Sequence, residues 1–186
     1  EIEVGYPSAS QTEYDCVRAL IERDLIPDDV FIQVLMPARP ELIDKTFYAV
    51  RGAKNVILHL YNATSPFFRR VVFHKDEEEV LEMAVNGARY VYEMAQRQPS
   101  EMNIRFEYSP EHFSATENDY AVRICAAVME ALHATKENPV ILNLPTTVEN
   151  CMPNQFADML EYFCKKLPDR KSAIISLHPH NDRGCG

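Results

Sequence analysis

The segment SLHPHNDRG, residues 176–184, follows the apolar run AIISL. Residues i and i+2 of a strand point to the same side. His178 and His180, at the end of such a strand, therefore place two imidazoles where one divalent ion can take both. Pro179 between them has no N–H for the ladder, so the strand ends there. Two nitrogens need at least one further ligand. A carboxylate alongside them would suit Mg²⁺, Mn²⁺ or Zn²⁺ and would leave positions open for substrate oxygens. A bare H-x-H pair is an ordinary coincidence of spacing; the strand end and the N-D-R-G that follows single this one out.

Other chemically capable residues fall at comparable places. His59 lies late in the apolar run of LHLYNATS, Glu107 and Glu111 close RFEYSPE, and Asn143 and Thr147 close LNLPTTVE. Each has a plainer reading alone: a satisfied strand histidine, a solvated loop carboxylate, a turn cap. Glu3 sits in the first apolar stretch, where an inward carboxylate is costly without a partner. Polar groups gathered at several strand C-termini are the pattern of a barrel's active-site face.

The elements that must carry them are legible. Short apolar runs occur at 2–4, 30–35, 55–61, 104–108, 140–144 and 173–177, continuous rather than alternating, as in parallel strands covered on both faces. Amphipathic helical patterns lie between them. Val17, Leu20 and Ile21 share one face; Leu81, Ala84, Ala88, Val91 and Ala95 another; Ala121, Cys125, Val128 and Leu132 a third; Phe156, Met159, Leu160 and Phe163 a fourth. Acid in DEEE (76–79) marks one helix start, Thr116 is an expected N-cap, and Pro153 stands near a first helical position. The charge runs RRVVFHKDEEE and CKKLPDRK read as solvated helix ends. Repeated β-then-α order predicts a parallel sheet, and no G-x-G-x-x-G or Walker loop follows any strand. The fold expected is α/β, a (β/α)₈ TIM barrel. A full barrel needs eight strands and typically about 250 residues. Six strand candidates in 186 residues make it an incomplete one, a partial catalytic domain spanning 1–186.

Bulk composition narrows the function. A net charge of −9 argues against a general nucleic-acid or anionic-membrane surface. No apolar run approaches the roughly 20 residues of a membrane span. Five widely spaced cysteines without C-x-x-C read as reduced thiols, and the default location is cytoplasmic.

The segments EIEVGYPSASQTEYD, LHLYNATSPFFRRVVF, RFEYSPEHFSATENDYA, ILNLPTTVE, MPNQFAD and SLHPHNDRG closely resemble the 2-isopropylmalate synthase family, in the acyl-CoA-condensing branch of metal-dependent TIM barrels. The resemblance spans essentially the whole chain. It implies an acyltransferase of leucine biosynthesis that condenses acetyl-CoA with 3-methyl-2-oxobutanoate to give (2S)-2-isopropylmalate and CoA. It implies a divalent metal on His178 and His180, with a third ligand, an Asp of an R-D-G-x-Q motif, on a first strand this chain does not contain. His59 and Glu111 match catalytic and substrate-site positions, and Thr147 matches the residue that binds the oxo-acid carboxylate; Glu3 and Asn143 join them as substrate-binding candidates. Glu111 and His59 are the candidates for the proton-removal step, with a residue of the missing portion as a third. The resemblance makes the six strands numbers two to seven, implies a homodimer for the full-length protein, and makes these 186 residues alone inactive and poorly soluble. Homocitrate synthase, citramalate synthase and 3-hydroxy-3-methylglutaryl-CoA lyase share the H-x-H barrel, and a noncatalytic fragment is the alternative of another class.

Overall fold

A computed structural model describes residues 1–186. Six parallel strands pair in sequence order: β1 (Ile2–Gly5), β2 (Ile32–Pro37), β3 (Asn55–Ala63), β4 (Asn103–Glu111), β5 (Val140–Pro145) and β6 (Ala173–His178). Between them run α1 (Gln11–Glu22), α2 (Pro40–Ala49), α3 (Glu77–Gln96), α4 (Asn118–Ala131) and α5 (Pro153–Lys166). This is the β/α alternation of an incomplete TIM barrel, and each predicted strand is present. Strands lie about 4.8 Å apart in a sheet, so β1 and β6 of a flat sheet could not share a site. Glu3 and His178 nevertheless line one cavity, because the sheet curls.

The pleat divides the side chains. Val34, Met36, Leu58, Leu60, Phe106, Tyr108, Leu142 and Leu144 join the buried cluster with Ile43, Phe47, Val80, Ala84, Ala88, Val91, Ile124, Val128 and Phe163 of the helices. Their burial stabilises by about 25 cal/mol per Å² of apolar surface. The alternate residues Gln33, His59, Glu107, Ser109 and Asn143 occupy the other face. Gly87 of α3 lets that helix lie directly on the end of β2, since a Cβ there would stand 2.9 Å from the Ala38 Cβ.

Of the predicted helix starts, those at DEEE and Pro153 hold and Thr116 does not. Ser10 caps α1, Asp76 and Glu79 form a reciprocal capping box on α3, and Pro153 takes the first turn of α5. Thr116 does not cap α4, which begins after Glu117. Its hydroxyl is already engaged with Thr64 Oγ1 at 2.7 Å and the His112 carbonyl at 2.9 Å. The charge run at 69–79 also divides. A π-helical turn (Phe68–Phe73) carries Arg69 inward, where it is buried rather than solvated. Its guanidinium grips both Glu117 oxygens at 2.7 and 2.8 Å, donates to the Thr64 carbonyl at 2.7 Å and stacks over Tyr120. All five cysteines are free thiols, and no helix is long and apolar enough to cross a membrane.

Candidate active site

Seven of the eight residues picked out by type and spacing come together; Glu107 does not line the cavity. Glu3, His59, Glu111, Asn143, Thr147, His178 and His180 line one cavity of about 260 Å³ at the strand C-termini, with Tyr6, Leu35, Tyr61, Ser109 and Pro145 completing its wall. Strand geometry explains the grouping. His59 on β3 pairs with Glu107 on β4, and Ala63 pairs with Glu111 at the ends of the same strands. Counting back in twos from Glu111 gives Ser109 and Glu107 on the same face. That count would have found Ser109, a polar residue that sequence reasoning passed over.

A hydrogen-bonded row crosses the floor. The Gln33 amide donates to the Glu3 carboxylate at 3.2 Å, which fixes its orientation, and to His59 Nδ1 at 3.0 Å. His59 Nδ1 is thus an acceptor, so the ring's proton sits on Nε2, 2.7 Å from Ser109 Oγ. Asn143 Nδ2 donates to the same hydroxyl at 2.9 Å. Burial pushes the His59 pKa down to about 3, with the His178 charge adding to the effect. His59 is therefore a neutral imidazole with both nitrogens engaged, built to position rather than to take a proton. Gln33, the link between Glu3 and His59, was also missed; its signal was a lone amide in the apolar run VFIQVL.

Glu107 lies beneath, buried, with Oε1 3.5 Å from His59 Nε2. Burial raises its pKa from 4.5 to about 8, helped by the charges of Glu1 and Glu3. The folded state thus keeps a proton that the unfolded chain releases. Stability is full below about pH 4.5 and falls as pH rises toward about 8. Glu107→Gln removes this dependence. Thermal unfolding should show the variant matching the parent near pH 5 and melting above it at pH 8; a lower midpoint at both values would refute a protonated Glu107.

At the rim, Glu111 is half-buried and its carboxyl has no side-chain partner. Its backbone carbonyl accepts from Thr64 N at 3.0 Å and Thr64 Oγ1 at 3.1 Å, which fixes the residue's position. Burial raises its pKa, opposed by the His180 charge. Thr147 Oγ1 accepts from the His112 N–H at 3.2 Å, leaving its own O–H to donate. His112 holds a left-handed backbone, φ 64, and is pinned by Ser65 Oγ at 2.8 Å.

The histidine pair has ring centroids 5.3 Å apart. His180 donates its N–H to Thr146 Oγ1 at 2.8 Å. Its Nδ1 lies 3.1 Å from the Asp182 carboxylate and 3.2 Å from the Val148 N–H. The contacts compete: a protonated Nδ1 serves Asp182 and frees Nε2 as a metal donor, whereas a bare one serves Val148. Val148 and Glu149 both have positive φ, 56 and 45, a conformation unfavourable for a β-branched residue. The buried Glu149 carboxylate compensates by accepting the N–H groups of Arg183 and Cys185, tying this turn to the HPHND loop. Two adjacent imidazoles, one backed by a carboxylate, fit a divalent ion as part of its ligand set. No group of three or more His, Cys, Asp or Glu that could hold a metal ion is present, so a divalent ion on this pair would need further donors.

A polar cavity rich in histidine and carboxylate, at the carboxyl ends of consecutive parallel strands, defines the chain as the site-bearing part of a β/α barrel. It matches the HMGL-like family over residues 1–186 and belongs to that family. It is 56% identical over 184 residues to a 2-isopropylmalate synthase of Rhodospirillum rubrum, covering 99% of this chain and 33% of that protein. It is 56% identical over 186 residues to one from Pseudomonas fluorescens (100% and 33%), and 54% identical over 185 to one from Clostridium acetobutylicum (99% and 33%). The chain spans about a third of the length of the curated relatives it matches.

Proposed function

We propose that the protein containing this chain is a 2-isopropylmalate synthase, condensing acetyl-CoA with 3-methyl-2-oxobutanoate and water to (2S)-2-isopropylmalate and CoA. One observation carries the reading: a histidine pair, an unpartnered carboxyl and a free hydroxyl donor meet in one small cavity whose wall also holds Leu35, Tyr61 and Pro145. That apolar wall suits a branched side chain better than a second carboxylate, which would be buried without a partner. The names borne by the relatives point the same way.

The geometry supports the following roles. Glu111, poised at the rim, removes a proton from the acetyl methyl, and the enolate carbon attacks the 2-oxo carbon. Thr147 donates its hydroxyl proton to the oxo-acid carboxylate. His59, held neutral by Gln33 and Ser109, sets the floor on which the substrate rests, and Asn143 and Glu3 hold that floor in place. A divalent cation (Mg²⁺, Mn²⁺ or Zn²⁺) on His178 and His180 would polarise the ketone and offset the alkoxide charge. The alkoxide takes back the proton held on Glu111 and becomes the product hydroxyl, and water then cleaves the thioester, its oxygen going to the second carboxylate and one of its protons to the CoA thiol. The full-length protein would act as a homodimer on these small molecules.

The test is thiol release by the full-length protein with acetyl-CoA and a panel of 2-oxo acids, with and without chelator. Chelator-sensitive release is expected, with 3-methyl-2-oxobutanoate preferred over pyruvate by at least about tenfold, as expected for missing methyl groups in an apolar pocket. Preference for 2-oxoglutarate or pyruvate would move the assignment to homocitrate or citramalate synthase. No release with any acid would reject a synthase.

A further inference from the structure

We infer that Cys151 and Cys185 form a dithiol site that a peroxide closes to a disulfide, and that closing it weakens the grip of His180 on a divalent ion; the second part rests on the metal pair proposed above. Both cysteines line one small cavity of about 80 Å³, together with Thr146, Glu149 and His180. They are the two cysteines carried outside helices, one between β5 and α5 and one after β6; Cys16, Cys125 and Cys164 sit within α1, α4 and α5. The Glu149 carboxylate already clasps the two loops, accepting the Cys185 N–H at 3.0 Å from a position just before Cys151. The chain at Gly186 folds back on the HPHND loop, its N–H donating to Asn181 Oδ1 at 3.1 Å. A Cβ at Gly186 would stand 2.6 Å from the His180 carbonyl oxygen. This segment therefore has little room to shift without moving His180.

Exposure and reach set the order of events. Cys185 is exposed, whereas Cys151 is half-buried and its pKa is raised by that burial. The exposed thiol is therefore the one that meets the oxidant. Its thiolate sulfur attacks one peroxide oxygen, the O–O bond breaks, and a sulfenic acid and a water form. The Cys151 sulfur then attacks the sulfenic sulfur, the S–O bond breaks, and the hydroxyl leaves as a second water with the proton from Cys151. Two thiols and one peroxide give one disulfide and two waters; the sulfurs lose two electrons and the peroxide gains them. The Cys185 thiol points back along its own chain, 3.9 Å from the Arg183 carbonyl oxygen, so it must swing into the shared cavity to reach Cys151. The bridge then fixes the two Cα atoms about 4.4–6.8 Å apart. His180 feels this from both sides. The loop that carries Cys151 holds it through Thr146 Oγ1 and the Val148 N–H, and the segment that carries Cys185 packs on its carbonyl. His178 is anchored on β6, paired with Pro145 of β5, so a shift of His180 changes the spacing of the two imidazoles.

The experiment treats the full-length protein, and its Cys151→Ser and Cys185→Ser variants, with hydrogen peroxide. One portion is blocked with iodoacetamide, digested and read by mass spectrometry. A peptide pair joined through 151 and 185 is expected in the parent, split by dithiothreitol and absent from both variants. A second portion is freed of oxidant and metal and titrated with Mn²⁺. Oxidation should raise the Mn²⁺ Kd of the parent about tenfold or more, the range for disturbing a group that orients a ligating histidine. Dithiothreitol should restore it, and neither serine variant should change. No 151–185 bridge, a bridge that leaves the Kd unchanged, or an equal rise in the serine variants overturns the inference. Condensation by the untreated protein reports on the reaction separately. A bridge that weakens Mn²⁺ binding, in a protein that condenses no oxo acid, upholds the dithiol site and rejects the reaction. Condensation by a protein in which peroxide makes no bridge does the reverse.

Discussion

Glu111→Gln should lower the turnover of the full-length protein by about 10²–10⁴-fold, the range for loss of a positioned general base, with metal content and the oxo-acid KM little changed. The amide keeps the size and polarity of the side chain but has no basic oxygen. Three features support Glu111 as the proposed base. Its carboxyl is unpartnered, unlike that of Glu117, which Arg69 clamps, or that of Glu149, which two backbone N–H groups fill. It lines both the histidine-pair cavity and a larger one of about 540 Å³ that adjoins it. The neighbouring alternative, His59, has a pKa near 3 and its acceptor nitrogen occupied by Gln33. Steady-state thiol release with metal analysis of the same sample checks this. Near-parental turnover in Glu111→Gln would give the proton to another group, and parallel loss of metal would make Glu111 a structural residue.

Arg69→Ala should cost roughly 2–4 kcal/mol of stability, toward the low side of what breaking a buried ion pair costs. The discount reflects the partners: the Arg69 side chain is 7% exposed, but Glu117 and Glu77 are each 46% exposed. The substitution leaves the Thr64 carbonyl without its donor, frees Glu117 and uncovers the Tyr120 ring. Arg69→Lys should recover little, since one ammonium cannot make the two parallel bonds or lie flat on the ring. Denaturant unfolding of the parent and both variants measures the difference. A loss under about 1 kcal/mol, the scale of an exposed pair, would refute the clamp. The π-helical turn that Arg69 anchors carries Phe68, Val72 and Phe73 into the larger cavity, so the shape of that cavity depends on the clamp.

The strands were legible because each is a short apolar run bounded by polar turns, and the helices because their stripes repeat at helical spacing. The cavity-lining residues were legible because polar side chains at strand ends have few other reasons to be there. Arg69 was not, because a buried arginine and a solvated one look alike within RRVVFHKDEEE; only the fold brings Glu117, far along the chain, against it. The turn at Val148 and Glu149 was hidden for a related reason. Nothing in TTVEN announces positive φ, and the two N–H groups that satisfy Glu149 come from residues 183 and 185. Thr116 misled because the feature that makes threonine a good cap, its hydroxyl, had found nearer partners in Thr64 and His112. Local patterns thus located elements and candidate chemistry, while long-range pairing decided which polar groups were free to act.

The hydrogen-bonded row on the cavity floor takes one side chain from each of five successive strands: Glu3, Gln33, His59, Ser109 and Asn143. A slip of one residue in any strand would turn its member to the opposite face. The row then works as a proofreading device for assembly. A mispaired sheet strands charged and amide groups among hydrocarbon with no partner, at a cost of about 1–3 kcal/mol for each, and so falls apart instead of persisting. Correct pairing and a finished floor arrive together, and the residues that prepare the chemistry also certify the barrel that carries it.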